Sequence, residues 1–180
     1  MTALPGTPLL DSFLEMSEAD LARVQETLRN WVDQLRALPS PTESVCAVDG
    51  GPCLSYRVST HPFGPFSSIR EFHNRFYKIV PGEHQDRLRA LAEASHSRPH
   101  RLCFTHGDIS PANVLVSGNQ LTGLVDWECS GWYPEYYEYT MAVYRRQRAQ
   151  KWWDLWAKIF PQYKTEVEVE LAFWAVDFPW

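Results

Sequence analysis

Three oxygen-bearing side chains give this sequence its first foothold for chemistry. Asp108 and Asn113 stand five positions apart in the run His106-Gly107-Asp108-Ile109-Ser110-Pro111-Ala112-Asn113, and Asp126 follows in Asp126-Trp127-Glu128. A carboxylate beside an attacking hydroxyl, with an amide oxygen and a second carboxylate sharing a divalent cation, is what phosphoryl transfer asks of a protein. That reaction depends on positioning and charge neutralisation and uses little covalent help. Mg²⁺ takes few protein oxygens and keeps its other positions for water and phosphate, so Asn113 with Asp126 is a sufficient protein share. The plain alternative is that Asp and Asn merely cap turns between strands. The spacing, the flanking apolar runs and the Trp127-Glu128 tail together argue against it.

Strands must hold such residues in place. Leu102 to Thr105 reads as a short buried strand ahead of the loop, and Val114 to Val116 as a second strand after it. The turn Ser117-Gly118-Asn119 leads into a third run, Leu121 to Val125, which would deliver Asp126 at its end. Side chains carried at strand ends on hairpins make a rigid site.

His-Gly-Asp with an Asn five positions after the Asp resembles the aminoglycoside phosphotransferase family, in which it stands where protein kinases have His-Arg-Asp. That family shares the protein-kinase-like fold and is also similar to choline kinases. The longer string FTHGDISPANVLV, followed by GLVDWECSGWYPEYYEY between Phe104 and Tyr139, looks like its fungal members. The resemblance covers most of the chain. It implies an α+β, mostly helical fold, the C-terminal lobe of a kinase-like enzyme, with short β-hairpins carrying the catalytic loop. Carried over by position, Asp108 would be the catalytic base and Asn113 and Asp126 the Mg²⁺ ligands. His106 would be a structural residue of the loop, and Glu128 a helper near a second metal. The implied reaction moves the γ-phosphoryl of ATP to a small-molecule hydroxyl.

Composition narrows the other possibilities. The chain has 180 residues, enough for one domain with a proper core, and a net charge of −5. No basic run is present, so nucleic acid and anionic membranes are not expected partners. Cys46, Cys53, Cys103 and Cys129 form no C-x-x-C pair, which argues against zinc and disulfides and for a reducing, cytoplasmic setting. The sequence shows neither a signal peptide nor a membrane span. No G-x-S-x-G elbow surrounds Ser110, so a hydrolase reading is poor. A two-metal phosphoesterase would want more His and Asp ligands than are found.

Along the chain, residues 1–15 read as an extended, hinge-like opening segment containing Pro5, Gly6 and Pro8. In the resembled family such a Pro-Gly segment follows the hinge between the two lobes. The chain is therefore expected to start where a nucleotide-binding N-lobe would end, and to be a single C-lobe over 1–180. Ser17 with Asp20 is a capping-box pair, Met16 and Leu21 sit at staple positions, and Leu21, Val24, Leu28, Trp31, Leu35 and Leu38 make an apolar helical stripe ending before Pro39. Leu54 to Val58 reads as a strand and His61 to Phe66 as a loop. Ser68 with Glu71 starts a helix carrying Ile69, Phe72, Phe76 and Ile79, on which His73 reads as a partly buried residue. Another helix spans Glu83 to Ser97, with Leu88, Leu91 and Ala92 inward. Cys129 to Pro134 reads as a loop. Helices are expected over Glu135–Arg148 and Lys151–Phe160; Glu166 to Leu171 alternates like a strand, but Val167, Leu171 and Trp174 also fit helical steps, and a helix is the reading there.

Trp132, Tyr133 and Glu135 are the candidate acceptor-binding residues. With Tyr136, Tyr137, Tyr139 and Glu138 they would suit a cationic substrate; the competing reading is that most of these aromatics simply pack helices. A complete enzyme of this kind also needs a glycine-bearing loop and a strand lysine over the phosphates. The lysines are Lys78, Lys151, Lys158 and Lys164, none in an apolar strand ahead of the first helix. Weak or no catalysis by this chain alone is therefore expected. Three origins fit: a truncated gene model, a lobe completed by another chain, or a non-catalytic pseudoenzyme or binding protein that kept the lobe.

Overall fold

The computed structural model describes residues 4–144 and 150–176. The architecture is α+β and mostly helical, with three small antiparallel sheets among six helices in the described residues. The opening segment forms β1 (Thr7–Pro8) and two short 3-10 turns, Leu9–Asp11 and Phe13–Glu15.

Helix α1 (Glu18–Arg36) starts as its sequence dictates. The Ser17 hydroxyl accepts the Asp20 amide at 3.2 Å, and Asp20 Oδ2 accepts the Ser17 amide at 3.3 Å. Its buried stripe is Val24, Leu28 and Val32. The helix stops at Arg36, so Leu38 falls past its end and is exposed, and Val32, absent from the stripe read in the sequence, is buried. Three short strands follow: β2 (Cys46–Ala47), β3 (Cys53–Ser55) and β4 (Ser59–Phe63), the last two paired with each other. Strand β4 corrects the expected loop at His61; its Pro62 is tolerated because the sheet has only two strands and leaves an edge open.

Helix α2 (Ile69–Ile79) is capped by Ser68, whose hydroxyl accepts the Glu71 amide at 3.2 Å. The Glu71 carboxylate turns to Ser67 instead of completing a box with Ser68. Helix α3 (Gly82–His96) buries Leu88 and Ala92 but leaves Leu91 exposed. Then come β5 (Leu102–Thr105), β6 (Val114–Ser117), β7 (Gln120–Leu124), β8 (Gly131–Pro134) and the helices α4 (Tyr137–Val143), α5 (Gln150–Ile159) and α6 (Lys164–Trp174). The final segment is thus helical. The basic end expected at Arg145 to Arg148 lies outside the described residues.

Two features of the sheets decide the site. Strands β6 and β7 form a hairpin closed by Gly118-Asn119, with Ser117 opposite Gln120 and Val114 opposite Leu124, and β1 pairs on the outer side of β6. Strand β5 belongs to a different sheet, ordered β2-β8-β5. The loop 106–113 therefore crosses between sheets and is not the turn of a hairpin of its own. Strand β8 also corrects the expected loop. Its four residues are all buried, and Gly131 is needed where β2 crosses, since a Cβ there would lie 2.4 Å from the Cys46 carbonyl oxygen.

Helix α1 packs on α5 and β5, and α3 on α6. Between α2 and α3 three imidazoles gather. His73 and His96 stack at 3.8 Å between ring centroids, His100 stands edge-on to His73, and the first two bond to Tyr136 and Tyr77 hydroxyls at 2.7 Å. Burial, then the neighbouring imidazoles, push His73 down to about 2; burial, His100 and Arg57 push His96 down to about 4. Unfolded imidazoles take protons near 6.5 and these do not, so their contribution is complete above that pH and declines below it. From pH 6.5 to 5 the loss should be about 2 kcal/mol per histidine. Denaturant melts at pH 7 and 5 should show it, and the double variant His73→Gln/His96→Gln should flatten the slope.

Candidate active site

Register alone brings two of the three predicted residues together. Val114 pairs with Leu124, so the next pair outward is Asn113 and Val125, whose amide donates to the Asn113 carbonyl at 3.0 Å. Asp126 is one step further, at the exit of β7, and is exposed. Its backbone lies in the left-handed region at φ 66°, which aims the chain into the 3-10 turn Trp127–Cys129. Few residues other than Gly, Asn and Asp adopt that conformation readily.

Asp108 joins them through Asn113. The Asn113 amide nitrogen donates to Asp108 Oδ2 at 2.9 Å and to the Asp108 carbonyl at 3.0 Å. With its nitrogen committed to the loop, the Asn113 amide has its oxygen left for a cation. His106 fastens the same pieces from below. Its Nδ1 accepts the Asp108 amide at 3.2 Å and its Nε2 meets the Val125 carbonyl at 3.0 Å. Those partners fix a neutral imidazole with the proton on Nε2. Burial lowers its pKa further, against the bond to Val125 and the pull of Asp126.

Gly107 carries the loop across the Trp127–Cys129 turn. Its φ is 82°, and a Cβ would sit 2.6 Å from the Cys129 carbonyl oxygen. Glu128 is exposed and accepts the Tyr56 hydroxyl at 2.6 Å, which holds the phenol proton and raises Tyr56 to about 12. Cys129 is pushed up to about 12, chiefly by burial and then by Asp108, Glu128 and Asp126. All three carboxylates thus act on one buried thiol.

The sequence reading missed what holds the loop from behind. Glu138 accepts the His106 amide at 2.6 Å and the Gly107 amide at 3.1 Å. It lies in α4, all seven residues of which are buried. Burial raises its pKa to about 7 against those two amides and Arg36. Glu138 is therefore committed to the loop and does not face a cationic acceptor. A usable signal was present: an acid flanked by Tyr136, Tyr137, Tyr139, Met141 and Val143 has no solvent face to occupy.

Trp132, Tyr133 and Glu135 also lie away from Asp108. Trp132 and Tyr133 are buried in β8, where Tyr133 stacks on Tyr137 at 4.5 Å. Glu135 bonds to Arg101 at 3.2 Å. The cavity that does open on Asp108 holds about 610 Å³. Its floor is the loop around Asp108 and Asn113, and its wall comes from Leu10, Phe13, Leu14, Met141, Tyr144 and Trp152. The opening segment is stitched to that floor, with the Leu10 amide donating to the Pro111 carbonyl at 2.8 Å.

Among the described residues, no group of three or more His, Cys, Asp or Glu is placed to hold a metal, and no helix is long and apolar enough to cross a membrane.

Comparison with known proteins bears on the fold and the family. A search of curated sequences found no significant match. The crystal structure of aminoglycoside phosphotransferase APH(4)-Ia superposes with a TM-score of 0.62 at 16% identity, covering 97% of this chain and 60% of that one. A thermostable mutant of the same enzyme, apo form, gives 0.64 at 17% identity over 97% and 61%. A further mutant, in ternary complex with AMP-PNP and hygromycin B, gives 0.63 at 17% identity over 97% and 61%. At such identity the likeness establishes the kinase-like fold, and this chain spans about 60% of the length of the structures it matches. The family described as the phosphotransferase enzyme family matches residues 1–174, and the chain belongs to it.

Proposed function

We propose that this chain is the acceptor- and metal-holding lobe of an enzyme that moves the γ-phosphoryl of ATP to a small-molecule hydroxyl. The observation that carries the reading is the loop in which Asn113 bonds to Asp108 while β7 returns Asp126 beside it. Family membership and the AMP-PNP and hygromycin B bound by a matched structure support the donor and the kind of acceptor.

Asp108 orients the acceptor hydroxyl and takes its proton as the oxygen attacks phosphorus. Asn113 holds the Asp108 carboxylate by its nitrogen and offers its oxygen outward; Asp126 offers a solvent-facing carboxylate next to it. This oxygen pair fits Mg²⁺, which would neutralise charge developing on the phosphates. Glu128, steadied by Tyr56, stands near a second cation position. The loop and lysine that would cover the phosphates are not among these 180 residues.

Calorimetry with Mg-AMP-PNP tests the reading. Saturable binding that Asp126→Asn weakens by about tenfold or more is expected, because Asn keeps the left-handed backbone and removes the charge. A silent titration, or one indifferent to that substitution, would leave the chain a non-catalytic relative that kept the lobe.

A further inference from the structure

The cavity over Asp108 says more about the acceptor than the loop does. Asp126 and Glu128 do not line it, although Asp108 and Asn113 do. It therefore reaches the base itself, where an incoming hydroxyl would lie, and touches the proposed cation ligands only through Asn113.

The wall of that space is apolar and already rigid. Lys151 donates to the backbone carbonyls of Leu14 and Met16 at 3.1 and 2.8 Å, pinning the turn that carries Phe13 and Leu14. Phe13 meets Trp152 edge to face at 5.3 Å. Trp152, fully buried, spends its ring N–H on the Ala142 carbonyl at 2.9 Å and so offers the cavity no donor. Leu10 and Leu14 are 59% and 66% exposed at the mouth.

Charge is nearly missing among the described lining residues. Among the described lining residues Asp108 is the one carboxylate, and Lys151 is turned to backbone oxygens. An acceptor carrying several ammonium groups would surrender their hydration and find one counter-charge, which is costly in apolar surroundings.

Resting on the phosphotransferase reading, we propose that the acceptor is an uncharged alcohol on an apolar, ring-containing body that packs against Leu10 and Leu14 over the buried rings of Phe13 and Trp152, and not a polycationic amino sugar. A volume of about 610 Å³ suits a small molecule of two or three rings.

The test titrates the full chain with 2-(2-naphthyl)ethanol and, separately, with hygromycin B, the ligand of the matched structure. Saturable binding of the naphthyl alcohol is expected, and Leu14→Asp should weaken it by about tenfold by setting a carboxylate against the ring. Hygromycin B should show no saturable binding. Because Leu14 is exposed the variant should fold; Leu10→Asp serves if it does not. Tighter binding of hygromycin B than of the naphthyl alcohol, or no naphthyl binding, would overturn the proposal. Mg-AMP-PNP on the same sample keeps the two readings apart. A silent nucleotide titration beside naphthyl binding would sink phosphoryl transfer and keep the pocket chemistry, and the reverse pattern would sink the pocket chemistry alone.

Discussion

Arg57→Ala is expected to lower folding stability by about 3–5 kcal/mol, the cost of leaving a buried carboxylate without its partner. Arg57 and Glu170 form an ion pair whose side chains are 3% and 1% exposed. The guanidinium also lies over the Phe76 ring, 4.3 Å from its centroid, and 5.8 Å from the Trp174 ring centroid. Burial already pushes the Glu170 carboxyl up, and Arg57 is the main force opposing that shift. Removing Arg57 would leave Glu170 either charged in an apolar setting or protonated. In a chain of this length the melting temperature should drop by roughly 10 °C or more. The double variant Arg57→Met/Glu170→Leu should recover most of the loss, since a well-packed apolar pair can replace a buried ionic one. If Arg57→Ala melts within a degree or two of the parent, the pair is not the anchor described.

Glu138→Ala should loosen the loop that carries Asp108. Two buried amides, those of His106 and Gly107, would lose their acceptor, at about 1–3 kcal/mol for each. Amide hydrogen exchange should accelerate first at His106, Gly107 and Asp108, ahead of global unfolding. Unchanged protection there would remove Glu138 from its assigned place. Its pH behaviour has a definite sign. A carboxyl raised from 4.5 to about 7 on folding contributes fully below 4.5, and that contribution is lost as pH rises through about 7. Glu138→Gln cannot ionise, so the parent should lose stability between pH 5 and 8 relative to that variant. The buried His73 and His96 run the other way, which is why the comparison must be made against Glu138→Gln and not against pH alone.

What could be read in advance follows from how local each feature is. Asp108, Asn113 and Asp126 were legible because a crossing loop and one tight hairpin hold them within a short span of chain. Helices α1 and α2 were legible from Ser17 and Ser68 with the apolar steps behind them. Strand β8 was not, because Trp132 and Tyr133 gain their strand conformation from β2 and β5, far away in sequence. Its Gly131 and Pro134, read locally, look like turn residues. The cavity wall was hidden for the same reason: Leu10 and Leu14 meet Met141 and Trp152 only when α1 has packed on α5. Glu138 was misjudged because a helical acid is usually solvated, although its apolar and aromatic neighbours on both sides leave this one no solvent face.

The left-handed backbone at Asp126 narrows what can stand there. Glycine, asparagine and aspartate occupy that geometry most cheaply, and of those three only aspartate brings a negative charge. Drift away from chemistry could therefore happen at this position by a change to Asn or Gly that leaves the architecture untouched. Under the function proposed above, reading this single letter across relatives would sort working enzymes from silent descendants, even where the surrounding fold looks the same.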